Sequence, residues 1–146
     1  MEAVTAAIGA DRVGIRLSPG SEWQDMQDAD PVETFSQVVA DIAQKQLAYV
    51  HWIEPRDSGF GEPSDPRKKT LTSAWARTQG LATTPIITAG GYVTIEAADE
   101  AIAAGADAVA FGRLYIANPD LVQRVQRAAK GVQVKLNKVS EAKGPI

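Results

Sequence analysis

The chain has 146 residues, 45% hydrophobic and 23% charged, with a net charge of −3. Such a chain suits one globular domain with an ordinary core. The mild acidity offers no bulk attraction for nucleic acid or an anionic membrane, and no apolar run reaches the ~20 residues a membrane span needs. The start, MEAVTAAIGADRVGIRL, lacks the basic-then-apolar order of a signal peptide. With no Cys and one His, disulfides, thiolate nucleophiles and Cys- or His-rich metal sites fall away together. A cytoplasmic protein is expected.

Strand-like and helix-like segments alternate along the chain. A short helix over 2–9 precedes a strand, RVGIRLS, at 12–18. Val32, Phe35, Val39 and Ile42 recur at helical spacing and predict a helix from Pro31 to Gln46. Its start is marked by Asp30 as N-cap, Pro31 at the first helical position and Glu33 to complete a capping box. LAYVHWIE (47–54) reads as the next strand. The loop RDSGFGEPSDPRKK (56–69) is long, and rich in Gly, Pro and charge. A helix from Thr70 to Gln79, a strand at 84–90, a helix from Thr94 to Ala104 with Gly105 as cap, and a strand at 106–112 follow. Asn118, as N-cap ahead of Pro119, opens a last helix to about Ala129. Residues 1–130 read as the folded domain, and 131–146 as a basic, weakly patterned tail.

Four β/α units in a row imply a parallel sheet. It can be open and doubly wound, or part of a (β/α)8 barrel, which normally takes about 250 residues. Two motifs favour the barrel. TAGGY (88–92) follows the third strand. Its paired glycines, Gly90 and Gly91, let backbone approach an anion at a helix start; a plain tight turn is the alternative. AFGR (110–113) follows the fourth strand, where Gly112 permits close approach and Arg113 adds a planar donor fork suited to phosphate. Glycine turns on the last two strands of a barrel often form one phosphate site.

Alternation in RVGIRLS places Val13, Ile15 and Leu17 on one face and Gly14, Arg16 and Ser18 on the other. Arg16 then points into the barrel, toward an anionic or acceptor-rich ligand or toward a carboxylate. His51 lies mid-strand and reads as a hydrogen-bonded structural residue. Glu54 and Arg56 flank Pro55 at the C-terminal end of that strand and read as a local ion pair. Trp23, Trp52 and Trp75 are too scattered for a stacking platform.

VGIRLSP with Arg16, then WQDMQDADPVETF, YVHWIEPR, PIITAGGY and AVAFGRLYIANPDL, occur in one order. This string, from about residue 8 to Leu136, resembles the C-terminal half of the old yellow enzyme family, especially its fungal members. The resemblance implies half of a TIM (β/α)8 barrel, FMN as cofactor and NADPH as reductant. It also implies an ene reductase acting on α,β-unsaturated carbonyls, with some fungal relatives acting on aldehydes in secondary metabolism. It places Arg16 beside the N1/O2 edge of the flavin, where a cation stabilises the reduced ring. It places Gly90 and Gly91 in the phosphate loop and Gly112 and Arg113 at the second phosphate contact.

The same resemblance puts the first four β/α units, the His/Asn or His/His substrate clamp and the proton-donating Tyr before residue 1. A Tyr-bearing terminal segment of the family is also absent after about Lys138. The expectation is a truncated enzyme with no catalytic residue of its own, inactive as a reductase alone. A flavin-independent isomerase or cyclase acting on an enone-like metabolite, and a non-enzymatic partner of a barrel half, are the alternatives. A half barrel exposes two edge strands and an inner face, so a homodimer or a complex with a complementary half is expected.

Overall fold

The computed structural model describes residues 1–22, 26–55 and 63–138. The chain runs α1 (Glu2–Ile8), β1 (Gly14–Leu17), α2 (Pro31–Ala43), β2 (Tyr49–Ile53), α3 (Ser73–Thr78), β3 (Ile86–Ala89), α4 (Ile95–Ala103), β4 (Ala108–Ala110), α5 (Arg113–Ala117) and α6 (Leu121–Ala128), with single 3-10 turns at Ala10–Arg12 and Lys68–Thr70. Among the described residues no helix is long and apolar enough to cross a membrane.

All strand pairs are parallel, and the order in space is β1-β2-β3-β4. This order settles the choice of closure. A doubly wound sheet reverses its strand order at a switch point. A sheet that advances one strand at a time through right-handed crossovers sends every helix to the same face. The burial pattern agrees. Val50, Trp52, Ile86 and Thr88 are fully buried on one face, while Gly14, Arg16, Tyr49 and Ala108 on the other are exposed. This is a segment of barrel wall.

The helix-side face carries the core. Val39 and Ile42 of α2 and Ala76 of α3 pack on Val50, Trp52 and Ile86, with Leu47 and Leu81 at the margins. Trp52 stands at the centre, with Phe35 edge-on at 6.3 Å and Trp75 at 6.1 Å. Its indole N–H donates to the carbonyl of Leu71 at 2.9 Å, so the ring is buried without stranding a donor. Two of the three tryptophans are thus core, and Trp23 lies outside the described residues.

Helix starts follow the sequence closely. Asp30 accepts from the Glu33 N–H at 3.2 Å, Thr72 from Trp75 and Thr94 from Ala97. The capping box at α2 is only half made, because the Asp30 N–H donates to Asp28 Oδ1 at 2.9 Å and not to Glu33. The expected helix from Asn118 starts three residues later, at Leu121, and an unexpected short helix, α5, precedes it. Asn118 ends α5, and Asp120 stands at the start of α6. The Asn118 amide is buried and turns inward, donating to Leu114 O at 3.0 Å and Asn137 O at 3.2 Å and accepting from the Asn137 N–H at 2.8 Å. Residues 132–138 form neither helix nor strand, yet this exchange fastens them.

Candidate functional site

The C-terminal ends of parallel strands in a barrel face one rim, where ligands bind. Here Ala89, the last residue of β3, is paired with Ala110, the last of β4. Gly90 leaves β3 at once, and Gly112 leaves β4 two residues later. The two glycine corners therefore lie on neighbouring strands at one rim.

The corners are built differently. Gly90 and Gly91 have φ of 107° and 70°, a backbone that L side chains rarely adopt. A Cβ on Gly90 would also stand 3.2 Å from the Glu54 carbonyl oxygen. The first corner needs glycine for its own geometry. Gly112 has φ −92° and ψ −85°, with no positive φ to demand glycine, and a Cβ there would meet nothing within 4 Å. Packing does not explain this glycine. Arg113 follows it, exposed, as the first residue of α5.

Arg16 lies on the face away from the helices, exposed, and the described residues give its guanidinium no carboxylate partner. His51 is its register partner across β1 and β2. The buried Nε2 of His51 has no hydrogen-bond partner among the described residues, so those residues do not supply the bond expected there from the sequence. Burial, and then the neighbouring Arg16 charge, hold its pKa below the ordinary imidazole value. Strands are spaced about 4.8 Å apart, which places Arg16 on β1 roughly 14 Å, three strand steps, from the β4 corner. A ligand with an acceptor-rich ring at one end and an anion at the other has that span.

The expected local pair of Glu54 with Arg56 falls on a residue outside the described ones; the Glu54 carboxylate itself has described partners. Glu54 is 7% exposed. Its Oε1 accepts from Thr88 Oγ1 at 2.7 Å and from the Ser73 N–H at 3.1 Å. Sequence spacing gave no sign of these partners, which lie 34 and 19 residues away. Above the sheet, the buried Lys68 ammonium meets Glu22 at 3.2 Å, and Ser64 donates to the same carboxylate. These bonds pull the Glu22 carboxyl below the usual range and tie the loops after β1 and β2 together. Among the described residues no cluster of His, Asp or Glu could hold a metal ion.

Comparison with known proteins decides the family. The family model for NADH:flavin oxidoreductase / NADH oxidase matches residues 1–131. The chain belongs to that family. A flavin oxidoreductase of Emericella nidulans is 40% identical over 144 residues, covering 86% of this chain and 36% of the relative. A chanoclavine-I aldehyde reductase of Penicillium roqueforti is 41% identical over 127 residues, covering 85% and 33%. The old yellow enzyme of Trypanosoma cruzi superposes with a TM-score of 0.74 at 30% identity, over 94% of this chain and 33% of that one. Morphinone reductase gives 0.74 at 32%, over 94% and 34%. The chain thus spans about a third of the length of these old yellow enzyme relatives.

Family membership implies FMN, and the residues present fit one. The open space at Gly112, the positive-φ pair Gly90 and Gly91, and the exposed cations Arg113 and Arg16 have the chemistry that a phosphate at one end and a carbonyl-bearing ring at the other require.

Proposed function

We propose that this chain is the FMN-phosphate-binding segment of an old yellow enzyme-like NADPH:flavin oxidoreductase, an ene reductase acting on α,β-unsaturated carbonyls. The observation that carries the reading is the pairing of Ala89 with Ala110, which sets the two glycine corners side by side at one rim. Gly90, Gly91 and Gly112 would admit the phosphate, Arg113 would neutralise it, and Arg16 would face the polar edge of the ring. FMN, when bound, supplies the hydride chemistry. The chain's part is to anchor and orient. No residue described here is assigned as substrate clamp or proton donor, so the 146 residues alone are inactive as a reductase.

The bare face of the sheet supports a completing partner. Parallel sheets occur almost only with both faces covered, and here one face exposes Arg16, Tyr49 and Ala108. A complementary set of β/α units, in a longer chain, a separate chain or a second copy, closes it. Enones or aldehydes of secondary metabolism are the substrate class of the completed enzyme.

Flavin binding tests this. FMN should bind more tightly than riboflavin, which lacks the phosphate. Arg113→Ala should weaken FMN by about 1.5–3 kcal/mol, tenfold or more, and leave riboflavin unchanged. Unchanged FMN affinity would remove the phosphate assignment. Turnover of an enone by colourless, flavin-free protein would replace the whole reading with a flavin-independent isomerase or cyclase.

A further inference from the structure

We propose that Glu54, Thr88 and Tyr92 are positioning residues that hold the Gly90–Gly91 turn in its anion-binding shape. This rests on the reading of that turn as a phosphate cradle. The need is physical. Two consecutive glycines form the least constrained backbone a protein can build, and N–H groups bind an anion well only when their directions are fixed beforehand.

The three side chains meet that need. Thr88 and Tyr92 bracket the turn, two residues before Gly90 and one after Gly91. Their hydroxyl oxygens are 3.2 Å apart, a side-chain staple across the turn. Glu54 fixes its polarity. A carboxylate can only accept, so at 2.7 Å the Thr88 hydroxyl proton goes to Glu54 Oε1. The Thr88 oxygen is then left to accept, and Tyr92 must be the donor. The chain of donation runs Tyr92 to Thr88 to Glu54. All three are buried, at 8%, 0% and 7% exposure, where a broken link costs most.

Glu54 also grips the turn through its backbone. Its N–H donates to Ala89 O at 2.7 Å, and Gly90 rests against its carbonyl. The Ser73 N–H, at the first residue of α3, donates to the same Oε1 at 3.1 Å, which anchors Glu54 from the far side. A cleft of about 260 Å³ lined by Glu54, Ser73, Tyr92 and Glu100 opens beside the network, and the hydrogen bonds add direction to the packing that buries these side chains.

The test uses the 146-residue chain with Tyr92→Phe, Thr88→Val and the conservative Thr88→Ser. FMN and riboflavin affinities are measured by flavin fluorescence, and amide hydrogen exchange at Gly90 and Gly91 by NMR. Tyr92→Phe and Thr88→Val should weaken FMN about fivefold, the weight of one intramolecular hydrogen bond. Riboflavin should be unchanged, exchange at the two glycines faster, and Thr88→Ser close to wild type. Equal loss of both flavins, or exchange no faster than in wild type, overturns the proposal. If wild type shows no preference for FMN over riboflavin, the cradle reading fails by itself, and glycine exchange still decides whether the staple fixes the turn. If Tyr92→Phe does not fold, the Thr88→Val and Thr88→Ser pair decides.

Discussion

Arg16 and His51 stand opposite each other in register on β1 and β2, on the sheet face turned away from the helices. A guanidinium there keeps the imidazole from charging, and burial acts in the same direction and more strongly. On the other flank the register partner of His51 is Ile87, so no further charge enters from β3 at that level. As the chain has one His, its NMR titration is unambiguous. The midpoint should lie below the ordinary imidazole value, and Arg16→Met should raise it part of the way, since burial remains. The sign for stability follows. Above the ordinary value both states hold a neutral ring and nothing is lost. As pH falls from there through the depressed folded value, the unfolded chain binds the proton first and stability declines. A midpoint at or above the ordinary value would mean that the ring is not buried as described, and no rise on Arg16→Met would mean that the two side chains are not neighbours in solution.

The two glycine corners make opposite predictions for alanine. Gly90→Ala forces a Cβ into φ 107° and to 3.2 Å from a backbone oxygen. It should cost roughly 2–4 kcal/mol of stability. Gly112→Ala meets no atom within 4 Å and needs no positive φ, so it should cost far less stability than Gly90→Ala, about 1 kcal/mol or less. Its effect should fall on FMN, whose phosphate would meet the new methyl. Urea midpoints and FMN titrations of the two variants check both halves. A Gly112→Ala variant with unaltered FMN affinity would leave the space there without a ligand.

What the sequence made legible was local. The apolar rhythm of α2, the Asp30 cap and the alternation along β1 depend on neighbours a few residues apart, and each was readable. The strand order was legible only through motifs, because nothing in alternation distinguishes a barrel from a doubly wound sheet. What escaped was long-range. The bonds that Glu54 accepts from Thr88 and Ser73 reach 34 and 19 residues along the chain. Asn118 before Pro119 has the pattern of an N-cap, yet its amide serves Leu114 and Asn137. Helix α5 has Gly112 at its N-cap and no side-chain cap bond, so no residue type announced it.

Arg77 is another residue with no local signature. It leaves the last turn of α3 and donates to the carbonyls of Gly105 and Thr84, each at 2.8 Å, and to that of Leu81. It also pairs with Asp107, which accepts the Ile86 N–H at 2.7 Å. One side chain thus joins α3, the end of α4 and the entries to β3 and β4. Arg77→Met keeps much of the stem and removes every donor. It should cost about 2–3 kcal/mol, a fall in melting temperature of roughly 5–10 °C. Because the guanidinium is largely sheltered, with its side chain 19% exposed, high salt should recover little of the loss in the wild type's favour. A shift under 1 °C would show these contacts to be incidental.

Asn118 and Asn137 give the last test, because an amide can do what a carboxylate of the same shape cannot. Asn118 donates to Leu114 O and Asn137 O and accepts the Asn137 N–H at 2.8 Å. Asn137 returns a side-chain bond to Ala117 O at 3.1 Å. Arg124 adds a bond to the Lys135 carbonyl, and together these hold residues 132–138 against the start of α6. Asn118→Ala removes three bonds at a fully buried position and should cost about 2–3 kcal/mol. Asn118→Asp keeps the acceptor but turns an oxygen toward two carbonyl oxygens, so it should be no better than alanine. Both variants should release the tail, seen as faster proteolysis beyond Gly131 with the core still folded. If Asn118→Asp were as stable and as protected as wild type, the donated bonds would be immaterial, and the accepted Asn137 N–H, the Asn137–Ala117 bond and Arg124 would hold the segment without them.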